Sequence, residues 1–169
     1  MQLEDAIRGR RTVKAFDPVP LERETLERIF ELARWAPNHQ LTQPWRFRVL
    51  GAGALEALER AAGPEAAAKL ARAPTLVAAS ATQSGEPLQD QEDLLAAGCA
   101  TYIVLLAAHS FGLAGYWRTP AVLRTTAGRE ACGVPDGERV LGLIHLGRGL
   151  GGGAQKPRAE SRAFVTYLP

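Results

Sequence analysis

The stretch from Gln91 to Phe111 constrains the fold more than any other. It has the length of a long helix. After Glu92 and Asp93 it is apolar nearly all round, with Leu94, Leu95, Cys99, Tyr102, Ile103, Val104, Leu105 and Leu106. A helix without a polar face is buried on every side. In a chain of 169 residues one sheet covers only part of such a helix. Either a second copy of the chain or the chain's own short helices must cover the rest, and the expectation is a homodimer with this helix in its interface. Gly112 supplies the stop. The apolar run from Leu94 to Leu106 is broken by Gly98, Thr101 and Tyr102 and is too short and mixed for a membrane span.

The remaining elements follow from periodicity and punctuation. Leu3, Ala6 and Ile7 share one face of a short helix ending at Gly9. Glu22–Arg34 reads as an amphipathic helix with Leu26, Ile29, Phe30 and Ala33 inward. Trp45, Phe47 and Val49 alternate with Arg46 and Arg48, the pattern of a half-buried strand over 45–50. Ala54–Ala62 and Pro64–Arg72 are short helices split by Gly63, with Pro64 suited to a first turn. Strands are expected at 75–81, 113–117 and 139–146, and a last one at 163–168. Short helical pieces are expected at 121–126 and 128–132. Residues 83–89 read as a polar, mobile loop, and 147–162 as a loose glycine-rich one.

Bulk properties exclude several classes. With 46% hydrophobic and 22% charged residues the chain is globular rather than disordered, and its length suits one domain over 1–169. A net charge of +2 gives no case for a nucleic-acid partner. Cys99 and Cys132 lack CxxC spacing and read as free thiols of a reducing compartment. His39, His109 and His145 stand apart without cysteine or carboxylate companions, so no metal site is expected. The polar N-terminus does not read as a signal peptide. A soluble cytoplasmic protein, with no membrane partner, is the expectation.

Two polar stretches carry the chemistry. Residues 10–16, RRTVKAF, place Arg10, Arg11, Thr12 and Lys14 within five positions. Guanidinium groups and a hydroxyl in such a cluster can hold a phosphate, although a solvated basic turn gives the same pattern. Residues 35–47, WAPNHQLTQPWRF, form a polar loop between a helix and a strand, tied by Pro37 and Pro44. Loops held by rigid elements are where binding groups gather, and connectors have the same composition.

Together these stretches resemble the nitroreductase family of FMN-dependent oxidoreductases. RRTVKAF is similar to the family's N-terminal RRSxR/K-F phosphate motif. WAPNHQLTQPWRF is similar to APSxxNxQPWxF, in the form of a small subgroup. Tyr116-Trp117-Arg118-Thr119 resembles that subgroup's later flavin segment, and Phe164-Val165-Thr166-Tyr167-Leu168 its final strand. The resemblance implies an α+β fold, a three-layer α/β/α sandwich around a mixed, mainly antiparallel sheet, with the C-terminal strand exchanged between subunits. It implies a homodimer with FMN at the interface and NADH or NADPH as transient donor. Arg10, Arg11 and Thr12 would meet the phosphate, and Lys14 the ring's pyrimidine edge. Pro37, Asn38, His39 and Gln43 would reach the flavin across the interface. Trp117, Arg118 and Thr119 would contact it through backbone groups and the Arg118 cation. Lys156 and Arg158 resemble a second phosphate clamp of larger relatives and stay outside this set.

The implied reaction is ping-pong transfer of hydride to nitroaromatic, quinone or similar small electron acceptors. The cofactor carries the chemistry, and no protein nucleophile or catalytic residue is required. No GxGxxG opens a βαβ unit, so the nicotinamide would dock at the flavin itself. A specialised flavoenzyme of the same fold and a non-catalytic flavin-binding protein are the alternatives.

Overall fold

The computed structural model describes residues 1–152 and 157–169. Helices α1 (Leu3–Gly9) and α2 (Arg23–Ala33) precede strand β1 (Trp45–Val49). Helices α3 (Ala52–Ala62) and α4 (Pro64–Leu70), strand β2 (Thr75–Thr82) and the long helix α5 (Pro87–Ser110) follow. Strand β3 (Ala114–Arg118), helix α6 (Thr126–Ala131) and strand β4 (Glu138–Gly147) complete the core. The strands lie in the order β1-β2-β4-β3, and every ladder is antiparallel. A single parallel bridge, Thr12 to Gly115, adds the N-terminal segment to the outer edge of β3.

The sheet is buried on both faces, which gives three layers. Val77, Ala79 and Ala81 of β2 face α2 and α5, together with Leu26, Ile29, Val104 and Ile144. Leu76 and Ala78 face the other way, onto Leu58 of α3 and Leu70 of α4. Such alternation follows from the period-two geometry of a strand. β4 breaks it once: Ala79 pairs with Gly142 and Ser80 with Val140, so Leu141 is the extra residue of a bulge. Gly142 takes φ 144° there.

Four expectations need correction. The long helix starts at Pro87 because proline fits its first turn and the Glu86 carboxylate accepts from Gln89 N at 2.7 Å. The expected mobile loop over 83–89 therefore shrinks, and Asp90 ties it by accepting from Ser84 N at 2.6 Å. Those bonds hold the Asp90 carboxyl below its ordinary pKa. Arg48 does not face solvent: it makes a two-pronged pair with Glu138 at 2.8 and 2.9 Å on the α3 side of the sheet. Residues 163–168 form no strand; a short 3-10 turn spans Ser161–Ala163, and Tyr167 and Leu168 are 92% and 85% exposed. No edge of the chain's own sheet takes up this segment among the described residues.

α5 has the length and apolarity of a membrane-crossing helix, but half of its apolar window is buried against the rest of the fold. Its other side leaves an apolar stripe in solvent: Leu95 is 64% and Tyr102 39% exposed, with exposed Cys99 between them. Spacings of four and three residues put the three on one helix face.

Candidate functional site

A cationic corner forms where α1 ends against α5. Gly9 allows the approach: a Cβ there would sit 2.8 Å from His109 Nε2. The chain then turns at Arg10 and runs beside β3 through the Thr12–Gly115 bridge. Beyond it, Asp17 N donates to Arg148 O at 2.9 Å and Leu150 N to Ala15 O at 3.0 Å, which pins the segment to the end of β4. Two adjoining clefts result, both walled by Arg10 and Arg11. One, of about 420 Å³, adds Gly9, Val13, His109 and Gly115. The other, of about 470 Å³, adds Arg8, Tyr102 and Arg158. Among the described residues neither lining includes a carboxylate. The Arg10 guanidinium lies 5.9 Å from the Tyr102 ring centroid, and its Nε is shut from solvent with no partner. An unpaired charged donor in a cation-lined cleft suits an anionic ligand.

The polar loop lies elsewhere on α5. Thr42 Oγ1 donates to Asp93 Oδ1 at 2.6 Å, near the helix start. Asn38 shapes the loop from within: its Oδ1 accepts from Gln43 N at 2.9 Å and its Nδ2 donates to Ala36 O at 3.2 Å. Gln40, Leu41 and Gln43 have φ of 50°, 55° and 46°, left-handed angles that side chains seldom adopt. At 1.5 Å per residue, Asp93 and His109 are roughly 24 Å apart along the helix. One chain therefore does not bring the loop and the corner together.

The sequence model described as "Nitroreductase family" matches residues 7–148. The chain belongs to the nitroreductase family. A Haemophilus influenzae protein provisionally named an NAD(P)H nitroreductase is 36% identical over 161 residues, covering 86% of this chain and 88% of that protein. Escherichia coli YdjA, named in the same provisional way, is 32% identical and covers 98% of each. Among solved structures, a nitroreductase-like family protein from Bacillus cereus superposes with TM-score 0.89 at 21% identity, covering 99% of this chain and 96% of the other. The FMN and NADPH-dependent nitroreductase NfnB of Sphigopyxis superposes with TM-score 0.85 at 18% identity over the whole of both chains. These two likenesses confirm the nitroreductase fold.

Within this nitroreductase the sequence-derived site residues fall into three groups. Arg10 and Arg11 wall the clefts, although Arg11 turns Nη1 back to the carbonyls of Arg8 and Arg10 and so caps α1. Thr12 and Lys14 are exposed, and Val13 rather than either lines the first cleft. Pro37, His39 and Gln43 are exposed on the loop, whereas Asn38 spends both amide ends inside it. Trp117 lies on the α5 side of the sheet, and its Nε1 donates to Leu141 O at 3.0 Å. Arg118 emerges on the opposite face with Tyr116 and His145, where its charge helps to depress the His145 pKa. Thr119 is exposed just past β3.

Sequence reasoning missed Tyr102 and His109 as walls of the corner, because in the sequence Tyr102 reads as one more apolar position of the long helix and His109 as a histidine without companions. Arg158 joins the second cleft; Lys156 lies outside the described residues.

Proposed function

We propose that the chain is an FMN-dependent NAD(P)H oxidoreductase of nitroreductase type, acting in the cytoplasm as a homodimer. The observation that carries this reading is Arg10: a guanidinium whose buried Nε has no partner among the described residues, in a cleft that those residues wall with further arginines and no carboxylate. The dianionic phosphate of FMN is the group whose charge and oxygens match it. Family membership supports the cofactor, and relatives named as FMN- and NADPH-dependent enzymes support the donor.

When bound, FMN supplies the two-electron chemistry, which the side chains of this fold do not. Arg10, Arg11, Thr12 and Arg158 hold the phosphate, and Lys14 places positive charge near the ring's pyrimidine edge. Trp117, Arg118 and Thr119 border the ring at the far end of β3. Pro37, Asn38, His39 and Gln43 of each chain face the flavin of the other, which accounts for their distance from their own corner. The α5 stripe of Leu95, Cys99 and Tyr102 then lies between the subunits. The C-terminal residues Phe164–Leu168, with no strand partner among the described residues, cross to the second subunit. Donor and acceptor use one open site in turn, and nitroaromatic or quinone-like compounds suit it.

The test is the absorbance spectrum of the purified protein, then anaerobic titration with NADH and with NADPH. Bound flavin that either nucleotide bleaches, and a nitroaromatic restores, is the expected result. A protein that stays colourless with micromolar FMN overturns the cofactor. One that stays yellow with both nucleotides favours a non-catalytic flavin-binding role.

A further inference from the structure

Asp93 is a carboxylate in an apolar helix, only 4% exposed, and the flavin corner makes no use of it. Its Oδ1 accepts from Thr42 Oγ1 at 2.6 Å and from Gln89 Nε2 at 3.0 Å. Gln89 sits one turn earlier on α5 and belongs to the helix. Thr42 belongs to the loop, so the Thr42–Asp93 bond ties the loop to the helix.

That loop needs tying. Three of its four residues from Gln40 to Gln43 are non-glycine residues at positive φ, a backbone that is costly for side-chain-bearing residues. A backbone of this kind persists only where its surroundings fix it. Asn38 fixes it from inside, through Gln43 N and Ala36 O. Asp93 supplies the fixed point outside the loop. A charge-assisted bond at 2.6 Å from a hydroxyl to a buried carboxylate is stronger than a bond between neutral groups.

We propose that Asp93 is a positioning residue: through Thr42 it sets the angle at which the Pro37–Gln43 loop presents His39 and Gln43 to the flavin ring of the second subunit. This rests on the reading of the site given above. Asp90, one turn earlier, holds Ser84 in the same manner, so the opening turns of α5 anchor both neighbouring loops. Because the loop meets the ring and not the phosphate, the proposal makes a distinction that mere stability would not. Loosening it should weaken riboflavin and FMN alike.

Equilibrium titration with FMN and with riboflavin, read by flavin fluorescence and visible circular dichroism, tests this on the whole 169-residue chain. Thr42→Val and Asp93→Ala should each raise the dissociation constant of both ligands about tenfold, the size of one charge-assisted hydrogen bond. Both should also change the visible dichroism of the bound ring. The double variant should lose no more than either single one. Thr42→Ser should restore wild-type values, and Gln89→Ala, which removes the donor within the helix, should leave them in place. Thr42 is exposed, so Thr42→Val carries the test if Asp93→Ala fails to fold. Wild-type constants and dichroism in Thr42→Val overturn the proposal alone, as does a loss confined to FMN. A wild-type protein that takes up neither ligand overturns it together with the reading beneath it.

Discussion

The imidazole of His145 lies flat on the ring of Tyr116, with centroids 4.3 Å apart and planes 11° from parallel. The pair bridges β3 and β4 on the face away from α5. His145 is fully buried, and among the described residues neither ring nitrogen nor the Tyr116 hydroxyl has a hydrogen-bond partner. Burial, aided by the charges of Arg118 and Arg72, pushes the His145 pKa down to about 4.

This predicts a pH dependence with a definite sign. The unfolded chain takes up a proton at His145 near pH 6.5, while the folded one resists until about 4. Stability is therefore full above 6.5 and falls between 6.5 and 4, by about 3 kcal/mol in total. Urea unfolding at pH 7.5 and pH 5 should show much of that loss. His145→Phe should keep the stack and flatten this part of the slope.

A second prediction concerns Arg48 and Glu138. Arg48 also donates to Ser80 Oγ at 2.9 Å, and hydrogen bonds from Arg48 and Ser80 outweigh burial to hold the Glu138 carboxyl below its ordinary pKa. Arg48→Met strands a buried carboxylate and should cost roughly 3 kcal/mol in chemical denaturation. Replacing both charges, Arg48→Met with Glu138→Leu, should recover most of it.

Gly142 and Trp117 give a third. A Cβ on Gly142 would lie 2.6 Å from Trp117 Nε1 and 2.5 Å from Arg118 O. Gly142→Ala should displace the indole from Leu141 O, cost about 2 kcal/mol, and shift Trp117 fluorescence. If Trp117 borders the flavin ring, quenching of its emission by added FMN should fall as well.

For Arg10, the expectation separates phosphate from ring. Arg10→Ala should weaken FMN on the order of 30-fold, equivalent to about 2 kcal/mol, and leave riboflavin nearly unchanged. Equal losses for both would remove Arg10 from the phosphate.

The proposed dimer predicts twice the chain mass in sedimentation. Leu95→Arg, at one end of the exposed α5 stripe and far more exposed than Tyr102, should shift that mass toward the monomer and release flavin. A monomer that holds FMN at wild-type affinity would contradict the shared site.

Much of this molecule was legible in its sequence where the signal was local. Periodicity gives α2, β1 and β4 nearly to their ends, because one buried face repeats at the period of the element. α5 is legible in kind but not in its start, since Glu86 and Pro87 read as loop residues until one caps and the other opens the helix. The Arg48–Glu138 pair was hidden: alternation marks Arg48 as outward, and a β1 edge position with a buried second face looks no different in sequence. Asp93 was hidden for a related reason, as an acidic residue in a first turn reads as helix-dipole chemistry. The last strand failed because a strand needs an edge to pair with, and among the described residues this segment pairs with neither edge of its own sheet.

The corner that holds Arg10 joins regions far apart along the chain: Thr12 bridges to Gly115, and Phe16 to Gly149. Closing such long loops costs entropy before any contact rewards it. As the polypeptide leaves the ribosome, α1 and its arginines emerge long before β4. A nascent chain has no finished place to receive an anion until β3 and the end of β4 have been made.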